Sequence, residues 1–324
     1  MNPTLQPLNP DAQRVHQWRN RLHTWIMVSG SALLMALIAY SVFGASGVVW
    51  AVVLTAFGLW QAGRVSPRMV LKLYKARALT SEEVPQLHQL MRELTRRADL
   101  PAVPQLYYVP SQMMNAFAVG KIDDSAVAVT DGLIRNLTLR QLAGVLAHEV
   151  SHIRNEDLTV MALGDVLSRL TGTLSTIGLL VGIPAALLTN GGVVPWVTIA
   201  ALVAAPTVGG LLQLALSRTR EYDADLDAAG LTGDPEGLAS ALQTLEQKQG
   251  SMWEKLVLPG SRSPEPSLLR SHPKTPDRVR RLLSLRPTTP PIIARPDRPM
   301  RPARSIVPPV RRPRINMGRM GLWY

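Results

Sequence analysis

The stretch His148-Glu149-Val150-Ser151-His152 decides how the rest of the chain is read. Its pattern is H-E-x-x-H. On a helix, residues four apart share a face, so both imidazoles can reach one metal ion. Glu149 stands one position round, close enough to act as a base toward water held there. Zinc suits such a site because it accepts tetrahedral nitrogen and oxygen donors and tolerates an open position. With 6 His and 10 Glu in 324 residues, an accidental match is expected about 0.003 times.

The flanks predict the helix this geometry needs. Thr138 and Gln141 read as an N-cap and its capping-box partner. Leu139, Leu142, Ala143, Leu146, Val150 and Ile153 recur at helical spacing and define a buried stripe.

Moving toward the N-terminus, three β-like runs precede this helix: Gln105–Val109, Ala116–Val119 and Ala126–Thr130. The polar stretch 120–125 predicts a hairpin between the last two. Ser81 is expected to open a helix over Glu82–Ala98. Farther out, residues 24–63 contain no charged side chain, enough for two helical passes of about 20 residues each. Gly44-Ala45-Ser46-Gly47 supplies the break. A second charge-free run covers residues 170–217, with a turn signal at Thr189-Asn190-Gly191-Gly192. Asp165 and Arg169 stand before it at i,i+4 spacing. Both runs predict membrane hairpins, and both turns lack Lys and Arg. Apart from Arg169, the basic residues fall in 1–23, 64–157 and 218–324, which places those segments on the cytoplasmic side.

A catalytic zinc needs a further protein ligand. One known extension of the motif puts a glycine and then a histidine shortly after the second motif histidine, but the chain has Asn155 and Leu158 at those places. The next acidic cluster, Glu221-Tyr222-Asp223-Ala224-Asp225, follows the second apolar run, so the chain has returned to the same side. Glu221 and Asp225 share a helix face. Glu221 can reach the metal while Asp225 holds a histidine ring nitrogen. The chain has no cysteine, which excludes disulfides, thiolate metal sites and a cysteine nucleophile.

Taken together, Asn115-Ala116-Phe117-Ala118-Val119-Gly120, the H-E-x-x-H motif, the segment from Ser217 to Asp225, and Ser271-His272-Pro273 ahead of Arg278, Arg280 and Arg281 resemble the HtpX-like membrane zinc metallopeptidases of family M48. The resemblance runs from about residue 24 to residue 285. It implies one zinc ion per chain on His148, His152 and Glu221, with Glu149 as general base. It also implies that Asn115, Ala116, Phe117, Ala118 and Gly120 belong to an edge strand that pairs with extended substrate. His272 is a catalytic candidate for oxyanion stabilisation, with Arg218 and Tyr222 as alternatives.

The expected fold is mainly α with a small antiparallel β-sheet, a gluzincin-type metallopeptidase domain interrupted by transmembrane helical hairpins. Its expected parts are a basic N-terminus (1–23), hairpin 1 (24–63), the first peptidase part (64–157), a helix extension with hairpin 2 (158–217), the second peptidase part (218–285) and an Arg/Pro-rich disordered tail (286–324). That tail carries nine Arg, nine Pro and one acid, Asp297, or +8 of the net +12. It either attaches to anionic lipid or stays solvated, and it lacks the stacking pattern that nucleic acid would favour. The expected activity is hydrolysis of misfolded or damaged membrane proteins at the cytoplasmic face of a bacterial inner membrane. The rivals are a prenyl-protease-type processing peptidase and a non-catalytic zinc scaffold.

Overall fold

The first helix, α1 (Pro10–Ala62), does not run straight. At Gly44 the backbone takes φ 64°, ψ −153°, a conformation that only glycine adopts cheaply. The hydroxyl of Thr55 lies 3.5 Å from the sulfur of Met35. Twenty residues of unbroken helix would separate those side chains by about 30 Å, so the chain doubles back and α1 is a hairpin of two arms. This is a computed structural model, described for residues 10–62, 67–188, 196–255, 275–285, 290–293, 317–318 and 321–322. The expected turn at 189–192, the Ser271–Pro273 motif and most of the Arg/Pro-rich tail lie outside these residues.

After α1 come α2 (Pro67–Leu73), β1 (Arg77–Ala78) and α3 (Pro85–Arg97). The helix expected from Glu82 begins three residues later, at Pro85. Proline lacks the N–H that a first helical position leaves unused and restricts the residue before it. Strands β2 (Gln105–Val109), β3 (Ala116–Lys121) and β4 (Asp124–Thr130) follow, then the short α4 (Asp131–Asn136). Helix α5 (Leu139–Arg154) carries the motif, and its capping box between Thr138 and Gln141 is formed. Then come α6 (Asp157–Leu188), α7 (Trp196–Thr232), α8 (Pro235–Lys255) and α9 (Thr275–Leu283), and a two-stranded ladder of β5 (Met317–Gly318) with β6 (Gly321–Leu322).

The main sheet has the order β1-β2-β4-β3. The β3–β4 hairpin is antiparallel, as expected, but β2 pairs with β4 in parallel. The sheet is therefore mixed rather than antiparallel. The reason lies in β4, where Ser125 through Thr130 are buried without interruption. Such a strand belongs in the centre, and its position displaces β3 to the edge. Gly120 closes the hairpin with φ 103°, and a Cβ there would meet the Asp124 carbonyl oxygen at 2.1 Å.

Two apolar cores share the long helices. One joins α3, the sheet, α5, the C-terminal end of α7, α8 and α9, and includes Leu94, Val127, Leu146, Ala228, Leu238 and Leu282. The other joins the α1 hairpin, α6 and the N-terminal part of α7 through Met35, Ala39, Ala51, Leu167, Leu202 and Ala205. Small residues let these helices approach closely. Leu22–Gln61 and Trp196–Thr232 are long and apolar enough to cross a membrane, with mean hydropathies of 2.0 and 1.9. Only 28% and 22% of their most apolar windows is buried within the protein, so the apolar faces look outward, unlike those of a soluble core helix. The Asp165–Arg169 pair forms at 2.6 Å.

Pro290–Ile293 are bound to the first core instead of starting a free tail. The Ile292 N–H donates to the Thr232 carbonyl at 2.9 Å, and Arg97 donates to the Pro290 carbonyl at 3.2 Å. The Ile292-Ile293 pair supplies the apolar surface for this docking.

Candidate metal centre

The site lies where the two cores meet. Helix α5 delivers His148 and His152 from its last turns, and α7 delivers Glu221 just past its charge-free half. Nε2 of His148 is 3.2 Å from Nε2 of His152. Glu221 Oε2 is 3.4 Å from the first of these atoms, and Oε1 is 3.8 Å from the second. All three side chains are buried. A tetrahedral ion with ligand bonds of about 2.1 Å sets its donors about 3.4 Å apart. The donor spacing therefore fits one ion of zinc's size, and two imidazoles with one carboxylate are donors that zinc accepts.

The other ring nitrogens fix this orientation. Nδ1 of His152 is 2.8 Å from Asp157 Oδ2, and Nδ1 of His148 is 3.1 Å from Asp225 Oδ1. Carboxylates on both Nδ1 atoms leave the Nε2 lone pairs for a metal. Arg278 of α9 clamps Asp225 with two hydrogen bonds of 2.7 and 2.6 Å and lies 3.3 Å from Glu221. It thus balances two buried carboxylates. Burial disfavours the charged form of His148, but Asp225 and Glu221 outweigh it and hold its pKa up, to about 10, in the metal-free site.

Glu149 faces the edge strand, where its Oε2 accepts the Ala118 N–H at 3.0 Å. That bond reveals how β3 is turned. The Asn115 backbone bonds to Thr130 through both its N–H and its carbonyl. Alternate residues of an antiparallel pair face the same way, so Phe117 also faces β4, while Ala116, Ala118 and Gly120 present main-chain groups outward beside α5. The Phe117 side chain is buried beneath the sheet, its ring centroid 5.1 Å from that of Tyr74. It supports the strand from behind.

Of the oxyanion candidates, His272 lies outside the described residues. Arg218 is exposed. The Tyr222 ring is covered by Arg281 at 3.9 Å. Sequence reasoning assigned no role to Asp157, Arg220 or Arg278. Asp157 had a signal: a carboxylate five residues beyond His152, opening the next helix. Arg278 also had one, as a charge on the face that α9 buries through Val279 and Leu282.

Paired imidazoles one turn apart, oriented by carboxylates and joined by a distant glutamate, with a further glutamate against the adjacent strand edge, define a metallopeptidase. The family-level comparison agrees: the profile of Peptidase family M48 matches residues 81–286. The chain is 31% identical over 284 residues to the Protease HtpX homolog of Paraburkholderia phytofirmans, covering 82% of this chain and 97% of that one. Its identity to the Protease HtpX homolog of Acaryochloris marina is 35% over 281 residues, covering 82% and 94%. The fold is also similar to the crystal structure of S. mikatae Ste24p, with a TM-score of 0.51 at 18% identity. That match covers 84% of this chain and 66% of Ste24p. The chain belongs to peptidase family M48 and is an HtpX-like membrane metalloprotease.

Proposed function

We propose that this chain is an integral membrane zinc endopeptidase that hydrolyses misfolded or damaged membrane proteins at the cytoplasmic face of a bacterial inner membrane, in protein quality control under stress. The observation that carries the reading is the three-donor cluster of His148, His152 and Glu221, whose atoms lie within 4.8 Å of one another, with Glu149 beside it on the outward edge of β3. A bound zinc would supply Lewis acidity toward water and the peptide carbonyl.

The residues then divide the work. An unfolded segment adds to β3 as a strand through the main chain of Ala116 and Gly120 and the carbonyl of Ala118, and its docking takes the Ala118 N–H from Glu149. Asn115 and Phe117 hold that strand in place from the β4 side. Glu149 takes a proton from the attacking water as its oxygen bonds to the carbonyl carbon. It returns the proton to the amine nitrogen as the C–N bond breaks. Arg278 and Asp225 keep Glu221 and His148 in position, and His272 remains the proposed oxyanion donor. A site near the apolar bundle suits substrates presented as unfolded loops at the bilayer. The absence of Lys and Arg from the turn of hairpin 1, against their abundance in the flanking segments, supports the cytoplasmic orientation.

A structural zinc site would be closed by four protein donors. Among the described residues the cluster has three, and Asp225 is committed to Arg278 and the far ring nitrogen of His148. This supports catalysis over a scaffold. Detergent-purified protein with zinc should cleave an unfolded substrate, and Glu149→Gln should lower the rate about 10²–10⁴-fold. An inert wild type, or a variant that cleaves as well as wild type, would overturn the reading.

A further inference from the structure

A buried polar chain runs from the metal centre into the α1 hairpin. Each oxygen of Asp157 has its own partner: Oδ2 meets His152 Nδ1 at 2.8 Å, and Oδ1 accepts from Arg220 Nη1 at 3.1 Å. The other terminal nitrogen of Arg220, Nη2, donates to the hydroxyl of Thr24. All three links are buried, and Asp157 is completely so, at 0% exposure. The partners come from three elements: Asp157 opens α6, Arg220 lies on α7, and Thr24 is the first residue of the charge-free run in α1.

A carboxylate this deep is stable only when paired, and its cation must itself be held. The orientation of the His152 ring therefore depends on Arg220, and that of Arg220 on where α1 sits. We infer that Thr24, Arg220 and Asp157 form a positioning chain through which docking of the first hairpin sets the metal affinity of His152. This rests on the reading of His148, His152 and Glu221 as a metal centre. The hairpin is thereby part of the site as well as an anchor. A bilayer that shifts α1 along α7 would shift zinc affinity with it.

The test is zinc affinity by chelator competition on the detergent-purified full chain, with thermal unfolding of the metal-free protein measured alongside. Asp157→Asn should weaken zinc about 10–100-fold, and Arg220→Gln at least about tenfold by the same route. Thr24→Val, which keeps the shape and loses the hydroxyl, should weaken it about 3–10-fold, and Thr24→Ser should restore it. The double variant Thr24→Val/Arg220→Gln should be no worse than Arg220→Gln alone, because one chain is cut twice. Three outcomes would overturn the chain: wild-type zinc affinity in Thr24→Val, additive losses in the double variant, or losses confined to thermal stability. Failure of the wild type to bind zinc would instead overturn the metal centre itself. If Arg220→Gln does not fold, Thr24→Val against Thr24→Ser still decides.

Discussion

Between Trp196 and Ser217, α7 carries no charged side chain and turns Val197, Val203 and Leu211 outward; between Arg218 and Thr232 the same helix buries Arg220, Glu221 and Asp225. Helix propensity is similar in both stretches, so the difference reflects what surrounds them. Outward apolar side chains over this length are stable where the surroundings are themselves apolar. Inward charges are stable only where each has a partner, and here the partners are His148, Arg278 and Asp157. The same division separates the two cores. The bundle is held by small residues and shape, and the peptidase core by apolar packing around a paired polar centre.

The largest effect should come from removing a partner at the polar end. Arg278→Ala leaves the buried Asp225 and Glu221 with the His148 ring as their one remaining partner cation in the described centre and should cost about 3–5 kcal/mol, read by denaturant unfolding of the metal-free protein. A loss under about 1 kcal/mol would mean the charged half is not held by pairing.

A matched leucine pair sharpens the comparison. Leu146→Ala, at a fully buried position in the peptidase core, should cost about 2–5 kcal/mol. Leu37→Ala, on the outward face of the bundle at 58% exposure, should stay within about 0.5 kcal/mol. Equal losses would show that the bundle's outer face is packed against protein and would erase the contrast.

A further contrast distinguishes the halves by pH. The folded, metal-free His148 holds its proton up to about pH 10, while an unfolded histidine releases it near 6.5. Its contribution to metal-free stability is therefore full below about pH 6.5 and lost as pH rises through about 10. Zinc needs the neutral ring, so binding between pH 7 and 9 should release a proton, and affinity should rise about tenfold per unit. Calorimetry in buffers of different ionisation enthalpy measures this. A pH-independent affinity would place the proton elsewhere.

Much of this was legible in the residues because it depends on local pattern. Thr138, Gln141 and the apolar stripe announce α5, absence of charge announces the α1 hairpin and the outward-facing half of α7, and four-residue spacing announces the two histidines. Glu221 could be anticipated because it opens the next acidic cluster after the second charge-free run. The partners were harder to foresee. Asp157 reaches His152 only because Glu156 turns the chain with φ 53°, and an ordinary glutamate does not advertise that. Arg278 meets Asp225 across 53 residues, a distance no periodicity spans. The parallel β2–β4 pair was hidden because order within a sheet depends on which strand must be covered on both faces. That strand is β4, which Ala126 through Val129 mark only in retrospect.

The central claim is that a carboxylate from the far side of an apolar hairpin joins two imidazoles around one ion. Metal analysis and zinc affinity of the wild type beside Glu221→Ala address it directly. One zinc per wild-type chain is expected, with binding weakened at least about tenfold by the substitution while the metal-free protein stays folded. Equal, tight, stoichiometric zinc in both proteins would contradict it.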